Sequence, residues 1–288
     1  MDGIILINKQ KNCTSHDVVY KVKKLLKEKV GHTGTLDPNA TGVLPILVGK
    51  GTKISKYLIN HDKKYIATLK LGEKKDTGDV EGNTIEEKDV EEIYIQKDNI
   101  LNVFKFFIGK IKQTPPIYSA IKINGKKLYE YARSGKSVEI KPREIEIYDL
   151  KLLNIDILNK EIVFEIYCSK GTYIRTLCED IAEKLNTVGY MKDLERIEVG
   201  EFCIKDSIKI DDLIENINNN DFMEQRFIKI EDFFKRFETI EIKDLDKFLN
   251  GVKLFTNKKD GIYKIIYNNS LIGTGVVENL KLKRDIVI

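Results

Sequence analysis

The 288 residues, 42% of them hydrophobic, can bury one large core or a main domain with a small one, which excludes a peptide-sized module. Charged residues make up 33% of the chain, but 49 Lys and Arg face 45 Asp and Glu, so a net charge of +4 makes only a weak case for a polyanionic partner. Cys13, Cys168, Cys178 and Cys203 lie far apart with no C-x-x-C pair, which disfavours a zinc site or a disulfide framework and fits packed thiols in a reducing compartment.

Met1 leads straight into Gly3-Ile-Ile-Leu-Ile-Asn8, a strand pattern with no basic leader. No later stretch reaches about 18 apolar residues, so a cytoplasmic protein with no membrane partner is expected. Thr14 and Asp17 have capping-box spacing ahead of Val18, Val19, Val22, Leu25 and Leu26, an apolar face that predicts a helix ending at Gly31. Lys21, Lys23, Lys24, Lys27 and Lys29 fall on its other face, as a solvated surface or as phosphate contacts. Residues 31 to 53, rich in Gly, Thr and Pro, are too interrupted for a helix and too long for an ordinary connector, and read as a functional loop.

Tyr65, Ala67, Leu69 and Leu71 alternate as a strand that runs into the polar turn Asp76-Thr-Gly-Asp79. Ile100, Leu101, Phe104, Phe107 and Ile108 give the apolar side of a helix over residues 98 to 108. Pro115-Pro116 breaks the pattern over residues 113 to 127, and a short helix follows at 129 to 133. Residues 140 to 155 and 161 to 169 alternate as long antiparallel strands, residues 172 to 185 form a helix, and residues 211 to 237 look helical and highly charged. Beyond residue 238 come a short helix at 244 to 249 and two strands, 261 to 267 and 270 to 277, joined by Asn268-Asn269. The expected fold is α+β, with a large mixed, mainly antiparallel sheet in residues 1–238 and a small β-rich module in 239–288.

The most informative stretch is Gly31-His-Thr-Gly-Thr-Leu-Asp-Pro-Asn-Ala-Thr-Gly-Val-Leu-Pro45. It sets one carboxylate, Asp37, ahead of a proline that fixes the backbone, in a segment whose glycines permit tight turns and close approach of a ligand. Such a carboxylate can be a nucleophile, an acid or base, or only a turn residue.

The whole segment resembles the catalytic motif of the TruB family of pseudouridine synthases. In that family the aspartate matched by Asp37 is essential for breaking the C1′–N1 bond of uridine and rejoining C1′ to C5. Lys64-Tyr65 through Leu71-Gly72, with Asp76-Thr-Gly-Asp79-Val-Glu-Gly82, resembles a second signature, in which the tyrosine matched by Tyr65 stacks on the flipped uracil. Pro115-Pro-Ile-Tyr-Ser-Ala-Ile-Lys122, continued by Tyr129-Glu-Tyr-Ala-Arg133, is similar to a third block, and Cys168-Ser-Lys-Gly-Thr-Tyr-Ile-Arg175 to a fourth whose arginine pairs with the catalytic aspartate.

The resemblance implies that His32, between Gly31 and Thr33, fills the space left by the flipped uridine, and that Leu194 packs on the target base. It also implies RNA contacts by Gly31, Thr33, Lys64 and Lys122, and a C-terminal PUA-like RNA-binding module. The implied substrate is uridine 55 in the TΨC arm of tRNA, with no cofactor, no metal and no protein partner, in a monomer. His16, His32 and His61 are scattered, and Asp76 and Asp79 read as turn residues rather than ligands. A cation beside Asp37 is expected to lower its pKa and keep it an anion.

The chain departs from the family pattern in three places. Lys9-Gln-Lys-Asn12 lacks the usual proline, although Asn12 can still take a left-handed turn; Lys75 replaces a threonine; and Glu195 replaces an arginine, leaving Arg196 as the phosphate contact there. Two other readings compete. A non-catalytic RNA-binding protein would use Gly31-His-Thr-Gly34 as a phosphate clamp of the KH type, but leaves Asp37, Tyr65 and Arg175 without a task. A guide-RNA-dependent relative would keep the chemistry and change the client RNA. A P-loop at Gly49-Lys50 is excluded, because Leu44 and Gly51 stand where glycine and Ser or Thr are required.

Overall fold

The computed structural model describes residues 1–288 except for the side chain of Arg133, part of the third block, which lies outside the described residues. A ten-stranded sheet runs through the first 229 residues. Its order is Phe227–Lys229, Gly3–Lys9, Thr41–Val48, Gly189–Val199, Lys63–Leu71, Glu161–Cys168, Arg143–Asp156, Gly109–Gln113, with Val30–His32 beside Thr41–Val48 and Phe202–Cys203 beside Gly189–Val199. Every pairing is antiparallel except one: Glu195 and Arg196 run parallel to Thr41 and Gly42. The sheet is therefore mixed and mainly antiparallel, as expected.

Helices cover the sheet. Val18, Val19 and Val22 of Ser15–Leu26 pack on Ile5, Ile7, Leu44, Ile46 and Val48, each such side chain contributing roughly 1.5–3 kcal/mol by leaving water. The Thr14–Asp17 capping box is present, but the helix stops at Leu26 rather than at Gly31. Lys27 takes the left-handed conformation there and returns its N–H to the Lys23 carbonyl, so Gly31 is free to be a strand residue paired with Leu47. Ile174–Lys184 buries Leu177, Cys178 and Ile181 in a second cluster with Ile100, Val103 and Phe104 of Lys97–Lys105. That second helix is shorter than expected, and Ile108 is exposed rather than apolar-side core.

Two expectations need correction. Residues 31 to 53 are not one loop: Thr41–Val48 is a central strand, buried from Gly42 on, and only residues 33 to 40 form the irregular segment. Pro45 is accommodated opposite Leu6, with its carbonyl accepting from the Thr33 N–H. Residues 211 to 237 are not continuously helical, since Phe227–Lys229 adds an edge strand to Gly3–Ile5.

The last fifty residues form their own five-stranded sheet, in the order Thr239–Glu241, Gly261–Tyr267, Ser270–Glu278, Lys281–Val287, Leu254–Phe255. Asn268 and Asn269 both have positive φ, as a two-residue hairpin turn demands. The small sheet docks on the main body through Leu271 and Ile288, which join the cluster around Phe233 and Phe234, and through the Tyr57 hydroxyl, which meets Thr274 at 2.7 Å and Asp285 beside it. Among the described residues no helix is long and apolar enough to cross a membrane.

The parallel seam depends on Gly42. Its φ is +112°, and a Cβ there would stand 2.2 Å from the Arg196 carbonyl oxygen. Gly42→Ala should therefore cost about 2–4 kcal/mol of stability, read as a lower urea midpoint with an unchanged slope; a midpoint equal to that of the parent would contradict this account of the seam.

Candidate active site

The seam leaves residues 33 to 40 crossing the sheet between Val30–His32 and Thr41–Val48, and the chain secures this crossing at several points. Ser15 Oγ accepts from the Leu36 N–H at 2.9 Å and donates to the Leu36 carbonyl. Lys9, the one charged residue of its strand, is fully buried and donates to the carbonyls of Pro38, Gln10 and Cys13 at 2.9, 2.9 and 2.7 Å. Arg196 donates to Val43 O and Gly34 O at 2.9 and 3.1 Å. It is buried and committed to these carbonyls, so the expected Arg196 phosphate contact is replaced by a structural role.

Asp37 projects from this secured segment into a cleft of roughly 560 Å³, within the size range of small-molecule sites. Arg175, in the first turn of Ile174–Lys184, reaches it with Nε 3.0 Å from Oδ2 and Nη2 3.4 Å from Oδ1. The start of that helix is fixed by Gln113, whose side chain accepts from the Tyr173 N–H at 2.8 Å and donates to the Tyr173 carbonyl at 3.0 Å. The rest of the guanidinium is also occupied: Nη2 donates to Tyr118 O at 2.8 Å, Nη1 donates to Thr77 O at 3.1 Å, and Asp79 Oδ2 lies 3.6 Å from Nη1. Asp79, read from sequence as a turn residue, is thus a second carboxylate on the same cation.

Burial pushes the Asp37 carboxyl up from the usual carboxylate range. Arg175 opposes that shift most strongly, Asp79 adds to it, and Lys9 opposes it. The expectation of a lowered pKa is therefore reversed: desolvation by the cleft walls outweighs the cation. The Asp37 side chain keeps 34% of its surface exposed, on the side of the cleft that it lines.

Tyr65 and Leu194, on the adjacent strands Lys63–Leu71 and Gly189–Val199, line the same cleft. Burial pushes the Tyr65 hydroxyl up to about 12, with the Arg196 guanidinium against it pulling the other way, so it is a neutral phenol at pH 7. Tyr173 also lines the cleft. Its only sequence signal was its place beside Arg175.

The remaining sequence candidates lie outside the cleft lining. Gly31 and His32 are strand residues paired with Leu47 and Ile46, which removes the glycine-loop clamp on which the KH-type reading depended. The His32 Nδ1 is buried with no hydrogen-bond partner among the described residues, and burial, with Arg196 and His16, holds its pKa below the usual 6.5. Thr33 is buried. Lys64 follows strand alternation away from Tyr65, to Glu198 at 3.2 Å and over the Tyr167 ring. Lys122 is exposed on the small Lys122–Ile123/Lys126–Lys127 hairpin.

The opposed influences on Asp37 can be separated by titration. Its carboxyl carbon, followed by NMR, should titrate above the unperturbed value of about 3.9. In Arg175→Gln it should titrate higher still, because the largest opposing charge is gone. A midpoint below about 3.9 in the parent, or a downward move in the variant, would contradict the assignment.

Comparison with known proteins identifies the family. Residues 22–174 match the family model described as TruB family pseudouridylate synthase (N terminal domain), and residues 175–251 match that of the tRNA pseudouridylate synthase B C-terminal domain. The protein called tRNA pseudouridine synthase B in Clostridium kluyveri is 42% identical over 293 residues, 98% of each chain. Those of Clostridium perfringens and Staphylococcus aureus are 46% and 41% identical, covering 90% and 91% of this chain and 86% and 88% of theirs. Among solved structures, a chain of an H/ACA ribonucleoprotein bound to a substrate RNA containing 2'-deoxyuridine superposes with a TM-score of 0.71 at 23% identity, covering 99% of this chain and 84% of that one. A chain of a Cbf5-Nop10-Gar1 complex has the same TM-score at 24% identity and the same coverage; both likenesses show a shared fold. By the family model over residues 22–174 and by these relatives, the chain belongs to the TruB family of pseudouridylate synthases.

Proposed function

We propose that the protein converts uridine 55 in the TΨC loop of tRNA to pseudouridine, acting as a monomer in the cytoplasm, where its substrate is found. The carrying observation is the Asp37–Arg175 pair, set in a cleft that Tyr65 and Leu194 also line. The relatives at 41–46% identity are named for tRNA, which favours tRNA over a guide-selected client.

The chemistry follows from the arrangement. A uridine inside a folded loop must leave its stack to reach a cleft, which costs a few kcal/mol. The flipped uracil enters between the Tyr65 ring and Leu194. The Asp37 carboxylate stands at C1′ as the C1′–N1 bond breaks, either bonding to that carbon or stabilising its positive charge. The base turns, C1′ joins C5, the C5 proton leaves, and N1 takes up a proton, so the reaction is an isomerisation. Arg175 keeps Asp37 aimed and opposes the upward push of burial on its pKa. His32, its pKa lowered, is a neutral ring at pH 7, suited to filling the vacated place in the stack. Gly31 and Thr33 hold that ring in the motif, while Lys64 and Lys122, outside the cleft, meet flanking RNA rather than the reacting base. The small C-terminal sheet extends the RNA-binding surface.

Mapping pseudouridine in tRNA from cells with and without the gene tests this reading. Loss confined to position 55, restored by the wild-type gene and not by an Asp37→Asn copy, is expected. Unchanged modification at 55 would overturn it.

A further inference from the structure

Two lysines of this chain are buried close to the catalytic segment, and they are buried in different ways. Lys9 has its three ammonium hydrogens matched by three backbone carbonyls, those of Gln10, Cys13 and Pro38. Its charge is held by the chain itself. Lys63 is only 8% exposed, yet among the described residues its ammonium has one hydrogen-bond acceptor, the His61 carbonyl. Two of its donors are left for something else. A buried ammonium short of acceptors is costly unless a ligand completes it.

The surroundings give the sign of that ligand. Arg196 and Lys170 both act on Lys63 as like charges. The neighbouring Cys168 thiol, pushed up to about 12 by burial, is uncharged at neutral pH. Asp62, next in the chain, is the compensating carboxylate, but it also accepts from the Tyr148 hydroxyl and forms no ion pair with Lys63 among the described residues. Burial pulls Lys63 down to about 8, which leaves it protonated at neutral pH.

Its position points to the substrate. Strand alternation puts Lys63 on the same side as Tyr65, lining the cleft. Its Cε lies 3.8 Å from where a side chain on Gly34 would begin, three residues before Asp37. Arg143, Lys170 and Glu144 line the same cleft, with Glu144 also 3.6 Å from Lys110. With Lys63, Arg143, Lys170, Arg175 and Arg196 on its walls against Asp37 and Glu144, the cleft carries positive charge in excess of what its carboxylates balance.

We propose that Lys63 binds a non-bridging oxygen of a phosphodiester flanking the target uridine, holding the flipped nucleotide so that its sugar faces Asp37. The inference rests on the reading of the cleft as an RNA site. A uracil carbonyl or ribose hydroxyl would fill the open donors but leave the charge uncompensated, whereas a phosphate does both. A flipped nucleotide brings its two phosphates to the mouth of the pocket that receives it.

The test uses the full-length protein and synthetic T-arm hairpins. For affinity measurements the hairpins carry 2′-deoxy sugars at the target and its 5′ neighbour, so that a methylphosphonate can replace either flanking phosphate. Wild-type affinity should fall about tenfold for one of the two replacements. Lys63→Met should cost about the same on the all-phosphate hairpin and lose little more on the replaced one, since both changes delete one contact. Lys63→Arg should keep most of the affinity. Additive losses, or wild-type indifference to both replacements, would overturn the assignment. The wild-type arm decides this even if the methionine variant does not fold. Tritium release from an all-ribose, 5-tritiated hairpin by the wild type is scored separately: its absence defeats the isomerase reading, whereas its presence with additive losses defeats the Lys63 assignment alone.

Discussion

The Arg175 guanidinium is the point on which the site depends. Only 7% of its side chain is exposed, and it bonds to Asp37, Tyr118 and Thr77 with Asp79 within ion-pair range. One cation therefore ties together the crossing segment of residues 33 to 40, the turn after Lys63–Leu71 and the stretch before the small hairpin. A buried charge is tolerable only when it is paired and hydrogen-bonded, and removing one partner of such a set typically costs 3–5 kcal/mol. Those segments are irregular backbone, and the cation links them to one another where no helix or strand pairing does, while Leu36 and Ala40 anchor the crossing segment in the core. Asp37 is consequently aimed before substrate arrives, which is what electrostatic catalysis requires.

Sheet topology provides the setting. The parallel contact of Glu195 and Arg196 with Thr41 and Gly42 joins two antiparallel halves, and the side chains converging there, Leu194, Tyr65 and Arg196, come from strands distant in sequence. Three buried polar groups, Lys9, Ser15 and Arg196, use their hydrogen bonds on the backbone of the catalytic segment rather than on ligand. Lys63, buried nearby with donors to spare, differs from them in that respect.

Much of this was legible in the sequence. Alternation marked Lys63–Leu71 and the long hairpin of Arg143–Asp156 with Glu161–Cys168, and motif resemblance singled out Asp37, Tyr65, Arg175 and Leu194, which line one cleft. The strand Thr41–Val48 was hidden because Gly42 and Pro45 are poor strand formers, and both are tolerated only through tertiary contacts: the close approach to Arg196 and the Thr33 hydrogen bond. Burial of charged residues was not legible either, since nothing local distinguishes Lys9 or Arg196 from surface cations. The direction of the Asp37 shift was misjudged for the same reason. An ion pair can be inferred from a motif, but desolvation depends on walls built from the whole chain.

The central claim is that Asp37, held by Arg175, carries out uridine isomerisation. Tritium release from tRNA labelled at C5 of uridine measures that step directly, because forming the C1′–C5 bond expels the C5 hydrogen. Purified wild-type protein should release tritium, one equivalent per tRNA at completion. Asp37→Asn, similar in shape but unable to be an anion, should bind the same tRNA with similar affinity and release none. Release by the variant at a rate comparable to the wild type would contradict the account.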